Sequence, residues 1–327
     1  MIFRILLALL ILTPALRAVV ISGGDGTGNT TGTLAGGGWD YVGAVNGATG
    51  IYLGQYNGGY WVLTARHVNA GNFVLSGTTY NYVPGSVVQI TNPDTTPTDL
   101  VVFRINTEPP SLPNLTLRST PLTSGSIKMM GYGRNRAVSE TTWFVDTGTT
   151  PNVWSTTTTP ETDITRSGYN TVGTSTKRWG DNTISGTTQL SYSVSGTTMN
   201  VKAISTDFDK VNGEGQAILG DSGGGMFFLN GGTWELAGSI VTVGTYNGQP
   251  ANTAVYQNLT YAADISKYSN AILAAIPEPG TCGLLLLGGA FLLARRRLRR
   301  RSPPELTSKP ATNCRNIGRR IKKFVSS

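Results

Sequence analysis

Short apolar runs separated by glycine- and asparagine-rich turns restrict the fold of this chain more than any other feature. No helical period is sustained between Gly37 and about Ala263. Asn57-Gly58-Gly59 and Asn230-Gly231-Gly232 each separate two apolar runs, which predicts β-hairpins. Strand-length runs at this spacing predict an all-β sandwich or barrel. The candidate strands before residue 106 are 42–45, 51–56, 60–65, 72–75, 87–91 and 100–105.

A serine flanked by glycines lies just before another apolar run. Gly220-Asp221-Ser222-Gly223-Gly224 precedes Met226-Phe227-Phe228. Glycine permits a tight turn and close approach of a substrate to the backbone. The N–H groups of Gly220 and Ser222 are candidates for an oxyanion hole, which stabilises negative charge on an attacked carbonyl. A plain hairpin loop is an equal alternative on these residues alone, because the chain has 42 glycines.

A serine nucleophile needs a base, and the base needs an acid that orients it. His67 is the only histidine in the chain, so it is the only candidate for an imidazole base. Asp99 begins an apolar run over 99–105, where its carboxylate would be buried and directed. The order along the chain is therefore His67, Asp99, Ser222. Asp94 is the alternative carboxylate.

Three segments in this order resemble the motifs of the trypsin/chymotrypsin-like serine peptidases. They are Trp61-Val62-Leu63-Thr64-Ala65-Arg66-His67, Asp99-Leu100-Val101-Val102-Phe103-Arg104 and Gly220-Asp221-Ser222-Gly223-Gly224. Trp234-Glu235-Leu236-Ala237-Gly238 is similar to the strand beside the specificity pocket, and 264–273 is similar to the C-terminal helix of the family. The similarity extends from about Gly37 to Ala275 and is weak in the middle.

The resemblance implies two six-stranded antiparallel β-barrels, a short C-terminal helix and an active site between the barrels. It implies that Gln216 forms the floor of the specificity pocket, with a wall at Thr242-Val243-Gly244. An aspartate typical of cleavage after Lys or Arg is absent at Gln216, although Glu214 lies two residues away. We therefore expect no strict preference for Lys or Arg. Arg66 departs from the small residue usual beside the histidine, and it would compete for Asp99 if it folded towards the site.

The N-terminus has the pattern of a secretory signal peptide over residues 1–18. Arg4 precedes an apolar segment, and Ala18 is a small residue at a cleavage point. A membrane anchor is the alternative, but the apolar segment is short for a span. Residues 19–36 are rich in Gly, Thr and Asn, which predicts a flexible lead-in. Val19-Val20-Ile21-Ser22-Gly23-Gly24 is also faintly similar to the activated N-terminus of the family, whose amino group pairs with the aspartate at Asp221; many bacterial relatives lack this switch.

Residues 140–200 are rich in Thr, Ser, Asn and Gly. Exposed strands and loops are the simpler interpretation, and an elaborated wall of the substrate cleft is the alternative. Trp143, Trp154 and Trp179 indicate some packing there, because large aromatic side chains are seldom free in solvent.

The C-terminal part predicts attachment to a membrane. Residues 276–301 combine Pro277-Glu278-Pro279, an apolar run over 280–294 and six arginines in 295–301, and they resemble the PEP-CTERM sorting signal of Gram-negative bacteria. The arginines would stay on the cytoplasmic side of the inner membrane. The alternative is a permanent anchor. Residues 302–327 continue as a basic tail beyond the point where such signals usually end.

The net charge of +8 is concentrated at the ends of the chain. Of the 26 basic residues, 12 lie in 295–327 and two in 1–18, so residues 19–294 hold 12 basic and 17 acidic groups, net −5. This balance excludes a nucleic-acid footprint there. Cys282 and Cys314 are the only cysteines, so residues 19–281 contain no disulfide. One histidine and no cysteine in that region give no support for a metal site, and no cofactor is expected.

Together these patterns predict an exported serine endopeptidase, with its peptidase domain over residues 37–275. Its partners would be a protein or peptide substrate, the inner membrane and a sorting peptidase, and its destination the cell surface or medium of a Gram-negative bacterium. Two alternatives remain open. One is a catalytically inactive, peptidase-like surface binding domain, supported by Arg66. The other is a structural β-protein whose motifs arose by chance.

Overall fold

The computed structural model describes residues 19–32, 37–109 and 112–276, all of which belong to one compact unit. The predicted signal peptide, sorting segment and basic tail lie outside the described residues, except for Ile276. Among the described residues, no helix is long and apolar enough to cross a membrane.

The N-terminal part forms an antiparallel seven-stranded sheet, here called the N-terminal sheet. A short strand β1 (Val20–Ile21) precedes it, and its strand order is β6-β5-β2-β3-β4-β8-β7. Its strands are β2 Val42–Val45, β3 Ala48–Tyr56, β4 Gly59–Ala65, β5 Phe73–Leu75, β6 Thr78–Tyr80, β7 Val88–Thr91 and β8 Pro97–Ile105. All six strands predicted for this region are confirmed, with small differences at their ends. The sheet differs from the expected six-stranded barrel, because it has seven strands in an open order.

Twelve further strands form two larger sheets and one strand pair, in which β16 joins β1. They are β9 Ser126–Gly131, β10 Arg134–Arg136, β11 Thr141–Asp146, β12 Val153–Ser155, β13 Ile164–Ser175, β14 Arg178–Val194, β15 Thr197–Asp207, β16 Gly215–Gln216, β17 Gly225–Asn230, β18 Thr233–Gly244, β19 Thr253–Val255 and β20 Leu259–Asp264. Strands β14-β15-β20-β18-β17-β9 close into a six-stranded ring, here called the barrel. Strands β10–β13 with β19 form the insert sheet. The all-β prediction is therefore confirmed.

Turn chemistry fixes the hairpins that were predicted from sequence. Asn57 and Gly58 have φ of 54° and 72° between β3 and β4, and Gly231 and Gly232 have φ of 54° and 90° between β17 and β18. Two successive positive φ values match the twist of the flanking strands, and glycine or asparagine adopts them at low cost. Register follows directly, with Tyr56 opposite Gly59 and Asn230 opposite Thr233.

Apart from one 3-10 turn at Trp39–Tyr41, the only helix in the described ranges is α1 (Ile265–Ala275), which confirms the helix predicted near the C-terminus. Asp264 caps it by accepting the N–H of Ser266 at 3.0 Å. Its buried face carries Ile265, Tyr268 and Ile272. These residues join an apolar cluster that the N-terminal sheet and the barrel share, so the last described element packs against β7 of the first sheet and β18 of the barrel.

The segment after the predicted signal peptide differs from the flexible lead-in expected over 19–36. Val19 and Val20 are each 1% exposed, and β1 pairs with β16. Arg136 donates to the carbonyl oxygens of Ile21 and Gly24 at 2.8 and 2.9 Å. Backbone carbonyls satisfied by a buried guanidinium give this segment a fixed path, which its polar composition did not reveal.

Candidate active site

A cavity of about 550 Å³ lies where the N-terminal sheet, the barrel and the insert sheet meet. The single histidine and the glycine-flanked serine, His67 and Ser222, both face it. The cavity is lined by Asn46, Gly47, Ala48, His67, Val68, Arg134, Gly173, Ser175, Leu219, Gly220 and Ser222. The Thr- and Ser-rich region contributes to its wall through Gly173 and Ser175, so that region holds both exposed strand positions and part of this cavity.

His67 and Asp99 are held together by adjacent strands. Strands β4 and β8 pair with Ala65 opposite Leu100, which places the residues just beyond β4 beside Asp99. The His67 backbone N–H donates to Asp99 Oδ1 at 2.9 Å, and His67 Nδ1 lies 2.6 Å from Asp99 Oδ2. A carboxylate on Nδ1 selects the tautomer with the proton there and leaves Nε2 as the basic nitrogen.

The two members of this pair differ in exposure. The Asp99 side chain is fully buried, whereas that of His67 is 32% exposed. A buried carboxylate requires hydrogen-bond donors because it has lost its water. The Asp99 carboxylate is thus shielded from water, while the His67 imidazole lines the cavity.

Asp94 and Arg66 are the two charged residues that could have changed the assignment of Asp99. Asp94 accepts from the N–H and hydroxyl of Thr96 at 3.1 and 2.6 Å, in an exposed turn. Arg66 approaches Asp99 only through its backbone, donating its N–H to the Asp99 carbonyl oxygen at 3.2 Å. Among the described residues, His67 is the basic side chain that the Asp99 carboxylate contacts. Competition from Arg66 is therefore absent from this arrangement.

The loop around Ser222 presents two backbone donors to the cavity. The N–H groups of Asp221, Gly223 and Gly224 donate to other backbone carbonyls of the fold. Those of Gly220 and Ser222 have no acceptor within the part of the chain that the structure describes, and both residues line the cavity. Backbone donors without an acceptor beside a serine are the groups that an oxyanion hole uses.

Two threonines of the N-terminal sheet fix the loop that carries Ser222. Thr49 is fully buried; its hydroxyl donates to the Gly220 carbonyl at 2.9 Å, and its N–H donates to the Ser222 carbonyl at 3.0 Å. Thr64 in turn donates its hydroxyl to the Thr49 carbonyl at 2.7 Å. A Cβ on Gly223 would lie 2.2 Å from the Thr49 carbonyl oxygen, so only glycine fits there. Sequence reasoning missed Thr49, because nothing local marks it.

Asp221 also holds the loop that carries Ser222 in place. It is fully buried and accepts the N–H of Gly133 at 2.6 Å and of Ile218 at 2.9 Å. Burial raises the pKa of the Asp221 carboxyl to about 7. Hydrogen bonds from Ile218, Gly133 and Val19 and the charge of Arg178 oppose that shift. Val19, the first residue after the predicted signal peptide, therefore contacts Asp221, which precedes Ser222.

A second, smaller cavity of about 230 Å³ adjoins Leu219, which lines both cavities. Gln216 and Val243, two of the residues predicted for the specificity pocket, line it, whereas Thr242 and Gly244 are not among its lining residues. No charged side chain lines it; the lining is Thr171, Gln216, Ala217, Ile218, Leu219, Val243, Thr245, Gln249, Pro250, Ala251, Asn252, Thr253 and Asn258. Glu214 lies outside it and accepts the N–H of Asp209.

Tyr192 is a further residue that sequence reasoning missed. Its hydroxyl donates to Asp99 Oδ2 at 2.7 Å. It lies in the polar stretch over 140–200, where no sequence pattern singles it out.

The Thr49 hydroxyl predicts a measurable contribution to stability. Thr49→Val leaves the Tyr132 N–H, which now donates to Thr49 Oγ1 at 2.8 Å, without its acceptor and the Gly220 carbonyl without its donor. We expect the free energy of unfolding to fall by about 1–3 kcal/mol. Urea denaturation measures this, with Thr49→Ser as the matched control that keeps the hydroxyl. Equal stability of the two variants would contradict the role of the hydroxyl.

Comparisons with known proteins give distant likenesses. No protein-family model matches the chain, and no curated protein matches it. Among solved structures, the Rv3671c protease from M. tuberculosis in its active form is 15% identical, with a TM-score of 0.41 over 83% of this chain and 96% of that chain. Its inactive form is 16% identical, with a TM-score of 0.40 over 72% and 87%. The murine norovirus NS6 protease is 14% identical, with a TM-score of 0.34 over 69% and 92%. These values are too low to assign the chain to a family.

Proposed function

We propose that this protein is a serine endopeptidase that hydrolyses peptide bonds through an acyl-enzyme intermediate. One observation carries the proposal: His67, bonded through Nδ1 to a buried Asp99, lines the same cavity as Ser222 and two open backbone donors. A nucleophile, a base oriented by an acid, and donors for the oxyanion are the parts that acyl transfer requires.

The reaction follows from these parts. Ser222 Oγ attacks the substrate carbonyl carbon while His67 Nε2 takes the hydroxyl proton. The N–H groups of Gly220 and Ser222 receive the oxyanion. The C–N bond then breaks, and His67 returns its proton to the leaving amine. Water attacks the acyl group with His67 again as base; the carboxylic acid departs, and Ser222 recovers its proton. Asp99 keeps the imidazole tautomer and stabilises its charged form in both halves.

The catalytic assignment predicts a sharp mutational pattern. Ser222→Ala and His67→Ala should each remove nearly all peptidase activity, and the double variant should be little worse, because the residues act as a unit. Asp99→Asn should fold and lose about 10⁴-fold in kcat. Asp94→Asn is the matched control and should keep full activity.

Casein hydrolysis and labelling by a fluorophosphonate probe are the measurements. Labelling of Ser222 in the wild type separates an enzyme from an inactive binding domain and from a structural β-protein. Substantial activity of His67→Ala would overturn the assignment, since the chain has no second histidine.

The lining of the smaller cavity predicts the substrate preference. We propose that it receives the side chain that precedes the cleaved bond. A pocket without a carboxylate gives a cationic side chain no partner for the water it loses. We therefore expect cleavage after uncharged residues.

A peptide-library cleavage profile tests this preference. Gln216→Ala should change the profile, because Gln216 lines the cavity. Glu214→Gln is the matched control and should leave the cleavage profile unchanged, because Glu214 does not line the cavity. Burial raises the pKa of Glu214 to about 7. A dominant preference for Lys or Arg would contradict this interpretation of the cavity.

We also propose that the protein is exported and sorted by its terminal segments. Residues 1–18 would direct secretion, and residues 276–301 would hold the chain in the inner membrane until a sorting peptidase releases the domain. The PEP-CTERM-like pattern and the arginines of 295–301 support this. Mass spectrometry of the mature C-terminus in a host with the sorting machinery is the test. A C-terminus near residue 277 is expected, and peptides containing Cys314 on the mature protein would indicate a permanent anchor instead.

A further inference from the structure

We propose that Tyr192 is a positioning residue of this site, and that its hydroxyl holds the Asp99 carboxylate in the orientation that His67 requires. The inference rests on the proposed function. Asp99 Oδ2 accepts from the Tyr192 hydroxyl at 2.7 Å and faces His67 Nδ1 at 2.6 Å. One oxygen thus receives a donor from the barrel and a donor from the N-terminal sheet.

Tyr192 reaches Asp99 on a hairpin that leaves the barrel. Within β14, only Arg178–Thr183 pairs with β9, and within β15 only Ala203–Asp207 pairs with β20. The rest of the hairpin pairs only with itself, with Tyr192 opposite Met199. The tip therefore extends from the barrel to the N-terminal sheet.

The hairpin is packed and bonded where it arrives. Met199 and Val201 are 2% and 0% exposed and belong to an apolar cluster that the N-terminal sheet and the barrel share, and β15 packs against β8. Asn92 donates its side-chain amide to the Asn200 carbonyl at 2.9 Å, and Tyr268 donates its hydroxyl to Asn92 Oδ1 at 3.1 Å. A side chain on a segment held this firmly presents its hydroxyl at a fixed point.

The chemistry of the contact assigns the direction of the hydrogen bond. An ionised carboxylate only accepts, so the hydroxyl donates. Burial, and then the charge of Asp99, raise the pKa of Tyr192 above its usual range, so the donor persists. The bond restrains rotation of the carboxylate and draws negative charge away from His67. Charged or titratable groups near this contact among the described residues include Arg66, whose N–H bonds the Asp99 carbonyl, Arg134 across the cavity and Tyr268 on α1.

Removal of the hydroxyl therefore has two consequences. The carboxylate is less restrained, so the rate falls. Its charge also concentrates on the imidazole, which favours the imidazolium and moves the acid limb of the pH–rate profile to higher pH. A side chain that only fills space would produce no such shift.

The experiment compares Tyr192→Phe with wild type in the full-length protein, using the rate of fluorophosphonate labelling of Ser222 from pH 5 to 9. We expect the rate at neutral pH to fall at least about tenfold and the acid limb to move upward. Tyr41→Phe is the matched control, since it removes a buried hydroxyl bonded to the Pro113 carbonyl at 2.9 Å. It should leave both readouts unchanged.

A second substitution keeps the test independent of folding. Replacement of Tyr192 by 3-fluorotyrosine retains the ring and strengthens the donor, so the acid limb should move to lower pH. The role of the hydroxyl would be overturned if both Tyr192 variants kept the wild-type labelling rate and the wild-type acid limb of the pH–rate profile. It would also be overturned if Tyr192→Phe and Tyr41→Phe lost the same fraction of the labelling rate at every pH. Failure of wild-type Ser222 to label would instead overturn the proposed function, so the two failures are distinguishable.

Discussion

The buried carboxylate of Asp99 is the constraint on which the arrangement of this protein depends. A fully buried charge is costly unless donors surround it. His67 supplies two donors from the end of β4, and Tyr192 supplies a third from the barrel hairpin. The donors come from two separate sheets, so the carboxylate is satisfied only when the N-terminal sheet and the barrel are correctly placed. The candidate site is therefore complete only in the folded arrangement of both parts.

The Ser222 loop depends on a comparable set of contacts, but here the N-terminal sheet donates to a loop of the barrel side. Here the loop belongs to the barrel side, and the donors come from Thr49 on β3. Each part of the fold therefore holds candidate-site residues of the other part in place. Because residues 19–281 have no cysteine, hydrogen bonds and apolar packing hold the N-terminal sheet and the barrel together without a disulfide. The insert sheet adds Gly173 and Ser175 to the cavity wall, so it shapes access without contributing to the Asp99 contacts.

The segment over 19–24 lies beside the loop that carries Ser222. Val19 lies against Asp221, and Arg136 holds the carbonyls that follow. The predicted cleavage after Ala18 therefore falls next to the anchor of the Ser222 loop. Composition alone favoured a flexible lead-in there, because glycine and threonine carry little apolar surface. The buried guanidinium partners are remote in sequence, and they reverse that expectation.

Strand positions and the candidate chemical groups were determined by the sequence, because both depend on local information. Alternating apolar runs and Asn-Gly turns specify strands within a few residues, and a single histidine leaves one choice of base. Tertiary structure alone decided the rest. Tyr192 is 93 residues from Asp99 and Thr49 is 171 from Gly220, and no pattern along the chain encodes such pairs. The open order of the N-terminal sheet and the uncharged lining of the smaller cavity likewise arise only when distant strands come together, because register and closure are properties of the packed sheets.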